Sequence, residues 1–435
     1  MRSNLGYALG NSSDGNERLV KILLDDAEMD AQLGRTMIAV AAEAADLGEV
    51  VTTAARVIDG DYDSWFAEWS ATAEVAQTLA EEALQGGHAV TARKAFLRAS
   101  EYWRQSFFFI RHDIDDERLT HAWQQHRLAF RAALPLLDCH AETVEIPYDG
   151  VSMTGYLFRP ADADTPRPTI LAPCGFDSTA EAGYVATGYM ALPRGYNFFV
   201  FEGPGQGGTL FEHRRTFRPD FEVPFAEAFE WLLQQDGVHP HAIIVMGRSF
   251  GGYLGPRAAA FESRVAALVA DPGQYDFASR IGVFAKSVGY DDPDEFIARL
   301  LAGDQELDAE LQKVVAGPRN VEWYGSRMAA MGTTTVGDFL RKQLTFTLEG
   351  VAADIKCPTL LTEGEGDFAA QGELLFANLN CERRLTTFSE AEGAGGHCEG
   401  LGSTLFEGYA FDWIDRILGR SQASAPEKYA PSPPG

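Results

Sequence analysis

The stretch VMGRSFGGYLG, Val245 to Gly255, places one serine between closely spaced glycines. Gly247, Ser249 and Gly251 form the pattern G-x-S-x-G, and Gly252 adds a further small residue. The apolar run AIIVMG precedes the serine, and GYLGPRAAAF after it has helical character. A serine on so sharp a strand-to-helix turn takes strained backbone angles, and glycines on both sides relieve the crowding. The context therefore favours a nucleophilic serine over a plain Gly-Ser turn, which the short motif by itself also allows.

Short apolar runs that alternate with helical segments surround this turn. The runs PTILAPC, YNFFVFE, AIIVMG, VAALVA and PTLLTE are apolar nearly throughout, as parallel strands covered on both faces are. Before them, two alternating runs flank Asp149-Gly150, which indicates a hairpin. This order predicts an α/β fold with a mostly parallel, doubly wound sheet, and it places Ser249 above the carboxyl ends of the strands.

The remaining segments are predicted to be helical. We expect residues 1–140 to form an N-terminal helical cap or lid domain, because apolar residues recur there at helical spacing. The α/β core is then expected in two parts, 141–274 and 353–420, with a helical insertion over 275–352 before the penultimate strand. The tail, 421–435, is rich in Pro, Ser and Ala and is predicted to be disordered.

The charge of the chain restricts its partners. With 36 basic and 63 acidic residues, its net charge of -27 repels phosphate backbones and anionic membranes. The N-terminus lacks the pattern of a secretory signal, and no apolar run approaches a membrane span. We therefore expect a cytoplasmic protein that acts on a small molecule and binds neither nucleic acid nor membrane.

Cysteine usage argues against two kinds of structural site. The five cysteines lie far apart and form no C-x-x-C pair, which disfavours a disulfide framework and a structural zinc site. Cys174 and Cys398 are interpreted as small buried residues rather than nucleophiles. No metal and no organic cofactor are predicted.

A nucleophilic serine needs a base that is oriented by an acid. In this fold the chain order is serine, acid, histidine, and His397 is the only histidine after Ser249. The segment PTLLTEGEGDFAAQG offers Glu363, Glu365 and Asp367 as acids. Asp367 is favoured because it follows the strand and precedes a new helix, and Asp271 after VAALVA remains the alternative.

Two backbone N–H groups are predicted to form the oxyanion hole. That of Phe250 lies at the start of the helix after the serine, and that of Phe176 follows the first central strand, in PTILAPCGFDST. The segment FEGPGQGG also matches the dinucleotide pattern G-x-G-x-x-G. Dinucleotide binding is disfavoured because helical character is expected to resume only after the prolines of TLFEHRRTFRPDFEVP.

With these motifs in place, the chain resembles the α/β-hydrolase superfamily. The likeness rests on GFDST, EGPGQG, GRSFGG, GDFAAQG and GGHCEGLG. It is strongest with the branch that has an N-terminal helical domain, which includes 2,6-dihydroxypseudooxynicotine hydrolase, the fungal heptaketide-shortening hydrolases and the FrsA-like esterases. The resemblance implies a Ser249–His397–Asp367 triad, and cleavage of esters or of carbon–carbon bonds next to a ketone. It also implies a pocket beside the N-terminal helices, and related enzymes are often dimers.

Residues that could line this pocket lie on the helix SEYWRQSFFFI. Tyr102, Trp103, Phe107 and His112 are the candidates, although packing between domains also accounts for such aromatic residues. Three functions stay open: a serine hydrolase, an acyltransferase with the same triad, and a non-catalytic binding protein on the same fold. An aminopeptidase is disfavoured because no propeller-like repeat precedes the core.

Overall fold

A computed structural model describes residues 21–162, 165–314 and 317–420, and the described chain before residue 139 contains helices but no strand. The helices are α1 (Ala27–Ile38), α2 (Leu47–Ala54), α3 (Tyr62–Gln85), α4 (Ala89–Phe107) and α5 (Glu117–Ala133). Four of them begin at an aspartate whose carboxylate accepts hydrogen bonds from the first turn, namely Asp26, Asp46, Asp61 and Asp116. The predicted disordered tail and the first twenty residues, where a secretory signal was not found, lie outside the described residues.

The described residues form one sheet of eight strands. They are β1 (Cys139–Tyr148), β2 (Val151–Pro160), β3 (Arg167–Pro173), β4 (Asn197–Phe201), β5 (Val238–Arg248), β6 (Ala267–Asp271), β7 (Thr359–Gly364) and β8 (Arg383–Phe388). Their order is β1-β2-β4-β3-β5-β6-β7-β8. The first two strands pair antiparallel, β2 pairs antiparallel with β4, and the remaining pairs are parallel. The predicted mostly parallel sheet is therefore confirmed, with the hairpin at its edge.

Helices connect the strands. The connection after β3 consists of α6 (Ala180–Gly183), a π-helical turn (Tyr184–Gly188) and α7 (Tyr189–Ala191). Later connections contain α8 (Gly207–Phe211), α9 (Glu222–Leu233), α10 (Gly251–Phe261) and α16 (Gly372–Asn378). The last helix, after β8, is α17 (Ser403–Ile417). Between β6 and β7 lie five further helices: α11 (Ala278–Ser287), α12 (Pro293–Leu301), α13 (Gln305–Val314), α14 (Pro318–Met331) and α15 (Val336–Gln343). The helical insertion before the penultimate strand is confirmed.

Successive residues of the central strands are buried on opposite faces of the sheet. Ile170 of β3 and Phe198 of β4 pack into the apolar cluster that includes the N-terminal helices. Their neighbours Leu171 and Phe199 pack into a second cluster that includes the insertion. Coverage on both faces explains why these strands are apolar throughout. No helix in the described part of the chain has the length and apolar character needed to cross a membrane.

Candidate active site

Ser249 lies in the turn between β5 and α10, and its backbone is strained. Its φ of 56° falls in the left-handed region, which residues other than glycine rarely adopt. A side chain at Gly247 would place its Cβ 1.9 Å from the carbonyl oxygen of Gly251, and one at Gly252 would come within 1.9 Å of the carbonyl oxygen of Pro272. The close approach of the backbone around the serine therefore requires these glycines.

Ser249, His397 and Asp367 form a continuous line of hydrogen bonds at the carboxyl edge of the sheet. Oγ of Ser249 lies 2.8 Å from Nε2 of His397, and Nδ1 of the same ring lies 2.9 Å from Oδ1 of Asp367. The Asp367 carboxylate is fully buried, and it also accepts bonds from the N–H groups of Ala369 at 2.8 Å and Cys398 at 3.2 Å. With a proton on Nδ1, the ring donates to the carboxylate and leaves Nε2 free to accept the hydroxyl proton.

The loop that carries His397 is pressed against the end of β7. The N–H of Gly396 donates to the carbonyl of Glu365 at 2.8 Å, and a Cβ at Gly364 would lie 2.3 Å from the carbonyl oxygen of Gly396. Gly396 itself has a φ of 82°. On the other side, the ring of Phe368 lies 4.7 Å from the imidazole, centroid to centroid. The glycines of this loop thus let the histidine reach over the sheet edge.

The loop after β3 brings Phe176 beside the serine. A Cβ at Gly175 would lie 3.3 Å from Cβ of Ser249, so the loop approaches the serine closely. The side-chain amide of Gln206 holds this loop by donating to the carbonyl of Gly175 at 3.2 Å. Within the described residues, the N–H groups of Phe176 and Phe250 donate to no backbone or side-chain acceptor. Both remain available to a negatively charged oxygen formed at the serine.

Asp271, the alternative acid, is bound to Arg248 rather than to His397. Nε of Arg248 donates to Oδ2 of Asp271 at 2.8 Å, and its Nη2 donates to Oε2 of Glu399 at 3.1 Å and to the carbonyl of Cys398 at 2.9 Å. Both carboxylates are completely buried. Burial and the neighbouring Asp271 raise the pKa of Glu399 to about 10, so that the Glu399 carboxyl keeps its proton at neutral pH. The geometry therefore favours Asp367 as the orienting acid.

Three of the residues that hold this arrangement were missed by the sequence analysis: Arg248, Glu399 and Gln274. The side-chain amide of Gln274 donates to the carbonyl of Ser249 at 2.5 Å. A sequence signal did exist for the first two. Arg248 directly follows a buried apolar strand, and Glu399 stands in a glycine-rich loop, so either charge requires a partner if it is buried.

Glu202 explains the glycine-rich segment after β4. Its carboxylate accepts bonds from the N–H groups of Ala180 at 3.0 Å and Gly208 at 2.7 Å, and a Cβ at Gly207 would lie 2.0 Å from its Oε1. The expectation that helical structure resumes only after the prolines is wrong, because α8 begins at Gly207. The carboxylate of Glu202 already accepts the hydrogen bonds at the amino end of this helix, so a dinucleotide phosphate cannot bind there.

A cavity of about 1340 Å³ opens beside Ser249 and His397. Its wall is formed by α1, the end of α4, the loop after β3, the helices α11 and α14, and the loop of the histidine. Ligand pockets commonly measure about 300–1,000 Å³, so this cavity can hold a substrate larger than a short ester.

The prediction that Tyr102 and Trp103 line the cavity is wrong. The hydroxyl of Tyr102 donates to Glu49 of α2 at 2.6 Å, and Nε1 of Trp103 donates to Gln77 of α3 at 2.9 Å. Both side chains are buried between the N-terminal helices. Because a helix directs neighbouring residues to different sides, the packing of α4 against α2 and α3 takes these two away from the cavity.

Phe107 and His112 do not line the main cavity either. Phe107 borders a small side cavity of about 30 Å³, and Nδ1 of His112 lies 2.7 Å from a carboxylate oxygen of Glu322 in α14. This contact raises the pKa of His112. The face of this segment that does reach the cavity carries Glu101, Arg104, Phe108, Phe109 and Arg111.

The two cysteines near the site are poor nucleophiles. Burial raises the pKa of the Cys174 thiol and of the Cys398 thiol well above its ordinary value. Sγ of Cys398 lies 3.7 Å from Nε2 of His397, farther than Oγ of Ser249. The serine is thus the better placed partner of the imidazole.

Known proteins match this chain over most of its length. No family model matches the sequence. The chain is 32% identical over 400 residues to the 20-hydroxy-prefusarin hydrolase FUS2 of Gibberella moniliformis, with 86% of this chain and 92% of the relative covered. It is 31% identical over 345 residues to the alpha/beta hydrolase psoB of Aspergillus fumigatus, with 75% and 76% covered. Its fold matches that of 2,6-dihydroxy-pseudo-oxynicotine hydrolase with a TM-score of 0.69 at 21% identity, covering 91% of this chain and 99% of that one.

Proposed function

The chain belongs to the α/β-hydrolase family and is an enzyme of that type, and from this premise we propose that it is a serine hydrolase acting on a small carbonyl compound through an acyl-enzyme. The observation that carries the proposal is the hydrogen-bonded line from Ser249 through His397 to Asp367. A hydroxyl, an imidazole and a buried carboxylate in this order are what an activated serine requires.

In the first step, Oγ of Ser249 attacks the carbonyl carbon of the substrate while Nε2 of His397 takes the hydroxyl proton. Asp367 keeps the other ring proton on Nδ1 and stabilises the imidazolium. The new bond from oxygen to carbon converts the carbonyl oxygen into an oxyanion. The N–H groups of Phe176 and Phe250 stabilise this charge, and loss of one such donor typically lowers turnover about 10²- to 10³-fold.

Collapse of this intermediate breaks the bond to the leaving group, which takes the proton from His397. The leaving group is an alkoxide when the substrate is an ester, and an enolate carbon when a carbon–carbon bond next to a ketone breaks. Water then gives a proton to the imidazole and its oxygen to the acyl carbon. Release of the acid returns the proton to Oγ of Ser249, so the enzyme is regenerated.

A polyketide-derived or aromatic ketone or ester is the substrate class that we favour. One relative is named a hydrolase of 20-hydroxy-prefusarin. The size of the cavity and the rings on its wall, among them Phe108, Phe277 and Trp323, support a substrate with an extended apolar body.

The experiment begins with a fluorophosphonate probe on the wild type and on Ser249→Ala. Labelling of the wild type alone is expected, and an unlabelled wild type would remove the proposal. Short p-nitrophenyl esters and β-diketones are then compared as substrates, with and without an added alcohol. Cleavage of the diketone assigns carbon–carbon hydrolysis, whereas an ester of the added alcohol as main product would assign acyl transfer instead.

A further inference from the structure

The cavity beside Ser249 is lined by six arginines, and two of them lack an acidic partner. Arg104, Arg111, Arg248 and Arg327 each form an ion pair with a carboxylate of the chain. Within residues 21–162, 165–314 and 317–420, no carboxylate oxygen lies within 4 Å of the guanidinium of Arg35 or Arg280. The polar contacts of these two are with glutamine amides, Gln32 at 2.7 Å and Gln274 at 3.4 Å.

Arg280 lies near the reacting groups. Its guanidinium lies over the ring of Phe277 at 4.9 Å and over that of Phe368 at 5.6 Å. Phe368 in turn packs against the imidazole of His397. Arg280 is therefore separated from the imidazole by a single aromatic ring. Arg280, His397 and Ser249 all line the same cavity.

The position of Arg280 is unfavourable unless an anion is bound. It lies in the first turn of α11, where the helix dipole disfavours a positive charge. Burial and the nearby charge of Arg327 together lower the pKa of Arg280 to about 10, against the attraction of Asp367. Asp367 does not neutralise it, because its two oxygens accept bonds from His397, Ala369 and Cys398.

On the basis of the proposed function, we propose that the substrate is a carboxylic acid, and that Arg280 binds its carboxylate while Ser249 attacks a carbonyl elsewhere in the molecule. A guanidinium presents parallel N–H groups that match the two oxygens of a carboxylate, and such charge-assisted bonds are stronger than neutral ones. The rings of Phe277 and Phe368 lie beside the guanidinium of Arg280. The same ion pair offsets the cost of leaving a partly buried cation unpaired.

The test uses p-nitrophenyl monoesters of dicarboxylic acids of increasing chain length. Each acid is matched with its methyl-capped, neutral counterpart. For the best chain length, kcat/KM of the wild type should favour the acid by about ten- to a hundredfold. Arg280→Gln should remove most of this preference through KM, and Arg280→Lys should retain part of it. Arg299→Gln is the control, since Arg299 pairs with Asp304 outside the cavity.

Three outcomes would overturn the proposal while leaving the serine hydrolase intact. These are a labelled Ser249 without preference for the acid, an equal loss on both esters in Arg280→Gln, and a preference that disappears in Arg35→Gln instead. An unlabelled Ser249 would defeat the proposed function itself. Folding gives an independent measurement: removal of an unpaired, partly buried cation should leave the melting temperature of Arg280→Gln unchanged or raised, and a lowered one counts against an unpaired charge.

Discussion

Nη2 of Arg248 donates a hydrogen bond of 2.9 Å to the backbone carbonyl of Cys398, which joins the residue before Ser249 to the residue after His397. The same guanidinium binds Asp271 and Glu399, both of them buried. The bond thereby fixes the distance between the segment that carries Ser249 and the loop that carries His397, which are far apart in the chain. We infer that Arg248 positions the imidazole against the serine.

Arg248→Lys should lower kcat about tenfold with little change in KM, because a 1 Å shift of a reacting group is costly whereas lysine keeps the positive charge at this part of the cavity wall. The rate of fluorophosphonate labelling should fall in parallel. Arg264→Lys is the matched control, since Arg264 forms partly exposed pairs with Glu230 and Glu262. A wild-type kcat in Arg248→Lys would contradict the positioning role. Arg248→Met, which leaves two buried carboxylates without a partner, should lower the free energy of unfolding by about 3–5 kcal/mol.

The choice between the two acids is tested by Asp367→Asn and Asp271→Asn. The first change should lower kcat about 10³- to 10⁴-fold at nearly wild-type stability, because an amide favours the wrong imidazole tautomer. The second should act mainly on stability, since it disrupts the bond to Arg248. Measurements of ester turnover and of thermal unfolding in both variants show which aspartate orients His397. The reverse pattern would make Asp271 the orienting acid.

Gly247→Ala should prevent correct folding of the turn, because its Cβ would lie 1.9 Å from a backbone oxygen that cannot move independently. Gly408→Ala is the matched control in the interior of α17, where a Cβ meets no atom within 4 Å. That change should raise the free energy of unfolding by about 0.5–1 kcal/mol. Chemical denaturation of the two variants measures both effects. Equal stability of the two would show that the turn has room for a side chain.

Glu399→Gln should become more stabilising as the pH rises. In the unfolded chain Glu399 loses its proton near the ordinary pKa of 4.5, whereas the folded protein retains it up to about pH 10. Between these values the folded state binds more protons, so the free energy of unfolding of the wild type falls with pH, by up to about 1.4 kcal/mol per unit. Glutamine cannot titrate and replaces the protonated form.

The measurement is the difference in unfolding free energy between Glu399→Gln and the wild type at several pH values within that window. The same change at the exposed Glu373 controls for the loss of one charge. A difference that stays constant, or that shrinks as the pH rises, would show that Glu399 does not keep its proton in the folded protein.

Much of the fold followed from local patterns. The strand AIIVMG, the hairpin around Asp149-Gly150 and the helix GYLGPRAAAF were all predicted, because hydrophobic periodicity and turn residues reflect the conformation of neighbouring residues. Chain order selected His397, and the structure places its ring against Ser249. The helix α8 was missed because it has only five residues, too few to show a periodicity.

The sequence by itself therefore determined the order of strands and helices and the type of turn that carries the serine. The tertiary structure decided which face of α4 borders the cavity, that Arg248 binds Asp271 and Glu399, and that Arg280 stays unpaired. These features depend on how elements far apart in the chain pack against one another. Side-chain direction at such contacts is set by the shape and charge of the partner surface, which no local pattern of residues records.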